Sequence, residues 1–167
     1  KGHRIIVRNA AEGETMDTLD GQARTFTPDH LMIADAERAV AVAGVIGGAD
    51  SEIRESTETL LPESAMFDPG NVRPPAQHLD MHTGSPYRFA RGCDIGGVDW
   101  SSRRAAALLV EHAGATAAQG AIDVYAKPVE AGSLSCRYEK IYQLTGVQAD
   151  ADAVKKIFNA LHLTVLE

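Results

Sequence analysis

Read for apolar and polar positions, the chain opens on a strand pattern at residues 4–9, where Ile5, Ile6 and Val7 stand between arginines. Residues 14–26 predict a hairpin, with Asp20-Gly21 supplying the positive-φ positions of a tight turn. Thr27-Pro28-Asp29 reads as a turn, residues 31–34 as a short buried strand and residues 36–38 as a polar turn. Residues 39–46 form an unbroken run of β-branched and small apolar residues, which predicts one buried strand ending at Gly47-Gly48. That glycine pair admits two readings: a tight turn, or a place where missing Cβ atoms let a ligand approach the backbone. It is not a phosphate loop, because no Gly-Lys-Ser/Thr follows.

Residues 50–58 are polar and acidic and read as a solvated loop. Residues 59–67 predict a strand, and Pro62, which has no N–H to donate, puts it at an edge or a bulge. Asp68-Pro69-Gly70 ends that strand. Asn71 reads as the N-cap of a short helix through His78 to Met81, with Pro74-Pro75 confining regular helix to the residues after them. Residues 85–91 read as strand or extended loop. Residues 99–113, rich in Ala and Leu, predict a helix stopped by Gly114. A strand at 122–125 and a linker from Lys127-Pro128 to Gly132-Ser133 follow. Then come a short strand at 134–137, a helix at 138–144 stopping at Gly146, a helix capped by Asp150 or Asp152 and running through 161, and a strand at 163–166. The expected class is α+β: mixed or antiparallel sheets with a few packed helices, followed by a truncated small α/β unit.

Composition narrows the function. The 167 residues, 44% of them hydrophobic, are enough for one sizeable core or for one domain and part of another. No apolar run is long enough to span a bilayer. The net charge of −7 argues against a domain that grips nucleic acid by bulk electrostatics, although Arg88, Arg91, Arg103 and Arg104 fall close enough together for a local basic patch. Cys93 and Cys136, far apart, read as reduced thiols in a cytoplasmic protein. The chain starts without methionine and runs straight into a strand pattern, which suggests a piece of a longer polypeptide.

The polar residues set among apolar ones concentrate between Leu60 and Asp94. The six histidines show neither HExxH nor paired-cysteine spacing; His78 and His82 would share a helix face but have no obvious third ligand, so no metal site is expected. No GxSxG elbow surrounds Thr83 or Ser85, and Cys93 has no recognisable catalytic partner. Glu63 stands in apolar surroundings. Burying it alone is costly, so it faces solvent or pairs with an arginine, or else it is a fixed acceptor for a ligand hydroxyl or amine. Arg88 and Arg91 read first as ion-pair partners and second as phosphate contacts.

The order of the segments says more. TLDG at 18–21, MIAD at 32–35, AVAGVIGG at 41–48, ESAMFDP at 63–69 and YRFARGCD at 87–94 together resemble the editing module of the bacterial phenylalanyl-tRNA synthetase (phenylalanine–tRNA ligase) beta-subunit family. The likeness covers nearly the whole chain. It implies an editing module at 1–128 lacking its N-terminal part, a linker at 129–133, and the beginning of the next small domain at 134–167. In that family the module hydrolyses tyrosine wrongly attached to the phenylalanine tRNA, because a pocket built for Phe cannot strongly reject a side chain that only adds a hydroxyl. The resemblance makes Glu63 the residue that recognises the tyrosine hydroxyl and Gly47 a pocket-lining glycine. It makes Thr83 and Ser85 the positions that hold the aminoacyl end, Ser85 standing where the family commonly has alanine. Arg88 and Arg91 are possible RNA contacts. No strong general base is visible, so hydrolysis by a water held by backbone and polar groups, helped by the terminal tRNA hydroxyl, is the expected chemistry.

The family's module also has a histidine-bearing segment upstream of the first strand found here. Pro62, Pro74-Pro75, Gly84 and Ala90 depart from its usual residues. The resemblance implies tRNA(Phe) and a synthetase alpha subunit as partners, two alpha with two beta. It implies ATP and Mg2+ as cofactors of the parent ligase but none in this segment, a cytoplasmic location and a role in translation. The competing reading is a non-catalytic structural or docking module with a decayed pocket.

Overall fold

Among residues 2–166, which the computed structural model describes, strands β1 (Ile6–Asn9), β4 (Leu31–Ala34), β5 (Ala39–Val42) and β6 (Ile46–Gly47) form one antiparallel sheet in the order β1-β4-β5-β6. Strands β2 (Thr15–Asp17) and β3 (Ala23–Thr25) form a separate hairpin. The registers are direct: Ile6 opposes Ala34, Met32 opposes Val42, and Ala41 opposes Gly47. β4, central in its sheet, buries Met32, Ile33 and Ala34 in succession, as a strand covered on both faces must. Helices α1 (Pro69–His78), α2 (Gly84–Phe89) and α3 (Gly97–Ala113) follow the sheet. Phe67, Val72, Ala76 and Leu79 then close a core with Phe26, Met32, Val42 and Val45. The chain divides into two compact units, Lys1–Gln119 and Gly120–Glu167. Among described residues the second holds helices α4 (Tyr138–Thr145) and α5 (Ala151–Ala160).

The expected α+β class, the hairpin containing Asp20-Gly21 and the strand at 31–34 are found, although of the turn pair only Gly21 (φ +77°) takes a positive φ and the loop between the strands spans residues 18–22. So are the helix ending at Gly114 (φ +63°), the stop at Gly146 (φ +72°) and the cap at Asp150, which accepts the Ala153 N–H at 2.7 Å. Other expectations are corrected. The apolar run 39–46 is not one strand: the chain reverses at Ala43-Gly44, where Gly44 takes φ +70°, and returns as β6. The turn that Gly47-Gly48 suggested therefore lies three residues earlier.

Residues 59–67 form no strand. They are exposed as far as Ser64, have no ladder partner among the described residues, and are anchored by buried Phe67 and by the Ser64 hydroxyl donating to the Val98 carbonyl at 3.0 Å. Residues 122–125, 134–137 and 163–166 are not strands either. Short segments become strands only when a neighbour takes up their backbone groups, and the second unit offers none among its described residues. Asp68, not Asn71, caps α1, accepting the Gly70 N–H at 2.7 Å, with Pro69 in the first turn. The helix continues through Pro74-Pro75, whose fixed φ is helical, although each lacks an N–H donor and crowds the preceding turn. It ends at His78 and does not reach Met81. Residues 85–91 were expected to be extended but begin as helix α2, with Pro86 in the first turn, where no intrahelical N–H bond is due.

One network ties the hairpin to the helices. Thr18 is fully buried, and its hydroxyl accepts from Arg24 Nε at 3.1 Å. The Arg24 guanidinium also donates to the Leu79 carbonyl at 3.0 Å and to Asp20 at 2.7 Å, so the hairpin holds the C-terminal end of α1. The Thr18 hydroxyl and Arg24 bring the Asp20 carboxyl down to about 2. With its folded pKa below its unfolded one, ionised Asp20 stabilises the fold above about pH 4, and that contribution is lost as pH falls through about 2. Asp20→Asn is expected to flatten this acid limb, read as Tm against pH.

Candidate functional site

The reversal at Gly44 brings the β5–β6 hairpin beside residues 63–67, α2 and the start of α3. These four pieces enclose an open cavity of about 800 Å³ within the first unit. Its apolar walls include Val45, Ile46, Phe67, Phe89 and Val98, and its polar groups include Glu63, Ser64, Ser85, Asp94 and Ser101. Two carboxylates and no cation line it.

Glu63 keeps access to solvent, yet the surrounding wall removes enough water to raise its carboxyl above the ordinary range. No hydrogen-bond or ion-pair partner meets it among the described residues, so its acceptor capacity is left for a ligand. Gly47 lies in β6, on the same cavity. A Cβ there would come within 2.9 Å of Leu19 Cδ1, and the Leu19 N–H donates to the Gly47 carbonyl at 3.0 Å. At Gly48 a Cβ would meet the Val40 carbonyl oxygen at 2.9 Å. The backbone contact calls for glycine at 48, whereas at 47 the neighbour is the end of the movable Leu19 side chain, which forms part of the cavity wall.

Ser85, in the first turn of α2, lines the cavity, but its hydroxyl donates to the Gly44 carbonyl at 2.9 Å. It pins the hairpin reversal to α2. Ser85→Ala is expected to lower stability by about 1 kcal/mol, because the partner carbonyl remains reachable by water; chemical denaturation measures this.

Glu63, Gly47 and Ser85 therefore share one cavity. Thr83 is not on its lining; it is the exposed, extended N-cap residue of α2. Arg88 and Arg91 are exposed, on or just beyond α2, and are likewise absent from the lining. The sequence reading missed Gly44, Leu19, Phe89 and Asp94 as lining residues. The one signal for Gly44 was a glycine inside an otherwise β-branched run, the usual mark of a reversal or bulge.

The comparisons agree with the motifs. The sequence pattern of the B3/4 domain family matches residues 1–114. The chain is 46% identical over 162 residues to the phenylalanine–tRNA ligase beta subunit of Geobacter sulfurreducens, covering 97% of this chain and 20% of that protein. It is 41% identical over 165 residues to the same subunit of Moorella thermoacetica, covering 99% of this chain and 20% of that one. Against the subunit of Salinibacter ruber the figures are 38% over 161 residues, 96% and 19%. The chain thus spans about a fifth of the length of the curated relatives it matches. With more than half of its length matched by that family, and with these relatives along nearly all of it, the chain belongs to the B3/4 domain family.

Proposed function

We propose that this chain is the editing segment of a phenylalanine–tRNA ligase beta subunit, hydrolysing the ester of tyrosine mistakenly joined to the phenylalanine tRNA. The observation that carries the reading is the unpartnered Glu63 carboxylate on the wall of an apolar cavity. Such a wall accepts a phenyl ring, and the carboxylate accepts the phenol O–H that distinguishes Tyr from Phe. When a phenylalanyl ester enters, the carboxylate receives no hydrogen bond from it, which is the physical basis of discrimination. The acidic lining also suits the ammonium group of an amino ester.

In the reaction a water oxygen attacks the ester carbonyl, the tetrahedral intermediate collapses, and the ribose oxygen leaves as the hydroxyl, releasing tyrosine. No side chain of the cavity is assigned as general base; water is held by backbone and polar groups, with the terminal ribose hydroxyl of the tRNA assisting. The parent ligase would supply the ATP- and Mg2+-dependent aminoacylation, the alpha subunit and the cytoplasmic setting.

The test is release of amino acid from Tyr-tRNA(Phe), with Phe-tRNA(Phe) as control, by the 167-residue chain and by the full-length subunit carrying it. Selective hydrolysis of the tyrosyl ester by the full-length subunit supports the reading. Absence of any preference there overturns it and makes the cavity an architectural remnant. Activity in the short chain as well would make the 167 residues sufficient.

A further inference from the structure

Glu63 stands on a segment that the fold holds at few points. Residues 52–64 are exposed without exception. Within residues 53–67 the bonds between Arg54 and Thr57 are local. Among the described residues one hydrogen bond joins this stretch to the rest of the chain: the Ser64 hydroxyl donates to the Val98 carbonyl at 3.0 Å, across 34 positions. Val98 stands in the first turn of α3 and lines the cavity, as do Gly97 and Ser101. Pro62 fixes a dihedral just before Glu63 but has no N–H with which to tie the segment down.

An anchor is needed there. The cavity wall takes water away from the Glu63 carboxylate, and a desolvated charge on a free chain swings back into solvent. Buried Phe67 is four residues further along, and four residues of chain reach up to about 14 Å, so Phe67 by itself lets Glu63 leave the wall. Ser64 is the next residue, with its Cα about 3.8 Å from that of Glu63. A bond at Ser64 therefore restricts Glu63 far more closely than the core does.

We propose that Ser64 is the positioning residue of the site: its bond to the Val98 carbonyl holds Glu63 on the cavity wall and so sets the preference for tyrosyl esters. The Ser64 proton is committed to a backbone carbonyl of α3 and is not offered to a substrate. Ser64 thus acts through Glu63, and the first turn of α3 becomes the platform on which the acceptor is mounted. The assignment deepens the editing reading, and its consequence for ester hydrolysis rests on that reading. Its consequence for Glu63 in the ligand-free chain does not.

The experiment compares the parent with Ser64→Thr and Ser64→Val, which match in bulk and differ in the hydroxyl. Heteronuclear NMR first follows the Glu63 carboxyl across pH in the ligand-free 167-residue chain, its resonance assigned by its absence from Glu63→Gln. Ser64→Thr is expected to keep the raised midpoint of the parent, and Ser64→Val to bring it down toward the ordinary glutamate value of about 4.3. Asp94 and Cys93, the other titratable groups on the cavity lining, are unaltered in every variant. The second measurement is kcat/KM of the full-length subunit for Tyr-tRNA(Phe) and Phe-tRNA(Phe). Ser64→Val is expected to lose about tenfold in the tyrosyl reaction alone, with Ser64→Thr close to the parent. A serine that only stabilised the fold would lower both reactions together, along with Tm. An unchanged Glu63 midpoint in folded Ser64→Val, or a tyrosyl preference equal in the Thr and Val variants, would overturn the assignment. A parent subunit without tyrosyl preference would count against the editing reading alone, and the titration would still decide whether Ser64 holds Glu63.

Discussion

Glu63→Gln is expected to cut hydrolysis of the tyrosyl ester about ten- to a hundredfold and to leave the slow phenylalanyl reaction unchanged. The substitution keeps the shape of the side chain but replaces a charged acceptor with a neutral one, and hydrogen bonds to charged groups contribute about 1.5–3 kcal/mol. The expectation has a pH signature. Burial raises the Glu63 carboxyl above its ordinary value, so the acceptor becomes protonated, and discrimination falls, as pH drops through that raised pKa. The Gln variant should show no such fall. Stability should move the other way. A carboxyl whose folded pKa is raised disfavours the ionised folded state, so Glu63 weakens the fold at neutral pH and ceases to do so as pH drops through that range. Glu63→Gln should therefore melt at the same temperature as the parent chain or higher at neutral pH, with the gap closing in acid. Kinetics of the two esters between pH 5 and 8, with melting curves of both proteins, test all three statements. A variant that loses activity and also melts much lower would mean that Glu63 is a structural residue.

Gly44→Ala is expected to destabilise the first unit strongly, by strain and by overpacking of its core. At φ +70° an L-residue carries a strain of about 1–2 kcal/mol. The added Cβ would also lie 3.0 Å from Phe67 Cδ2, 3.1 Å from Val72 Cγ2 and 3.3 Å from Phe89 Cγ. Phe67 and Val72 are core residues, and Phe67 and Phe89 pack edge to face with centroids 5.2 Å apart, so none has a free direction to retreat. Overpacking of this kind adds about 1–3 kcal/mol. A total of about 3 kcal/mol should lower Tm by roughly 10 °C in a unit of this size. The same shift would displace Phe89 and the Ser85-to-Gly44 bond, so ester hydrolysis should fall in proportion even below the melting transition. Gly21→Ala makes the control: its φ of +77° carries similar strain, but a Cβ there meets nothing within 4 Å. A fall in Tm no larger than that of the control would show that the core above Gly44 yields more readily than its packing implies.

Local rules were legible in the residues. Asp20-Gly21, Gly114 and Gly146 mark their turns and helix ends because glycine alone enters the left-handed region without a Cβ penalty. The Asp150 cap and the buried strand at 31–34 follow from hydrogen bonding and burial within a few residues. Glu63, Gly47 and Ser85 were likewise named from segment order, and they prove to line one cavity. What could not be read locally is what depends on a distant partner. The segments at 59–67, 122–125, 134–137 and 163–166 have strand-like side chains but no ladder partner among the described residues, so they form no strand. The helix at 84–89 contradicts its strand-like composition because its first turn tolerates proline and its buried side, with Pro86, packs on the fold. The reversal at Gly44 was hidden inside a uniform apolar run, since periodicity is blind where both faces are buried. The sequence by itself determined the turns, the caps, the α+β class and the polar residues available for a site. Only the tertiary structure decided which of them meet, because the Gly44 reversal, the Ser85 and Ser64 hydroxyl bonds and the Arg24 bond to α1 join residues up to 55 positions apart.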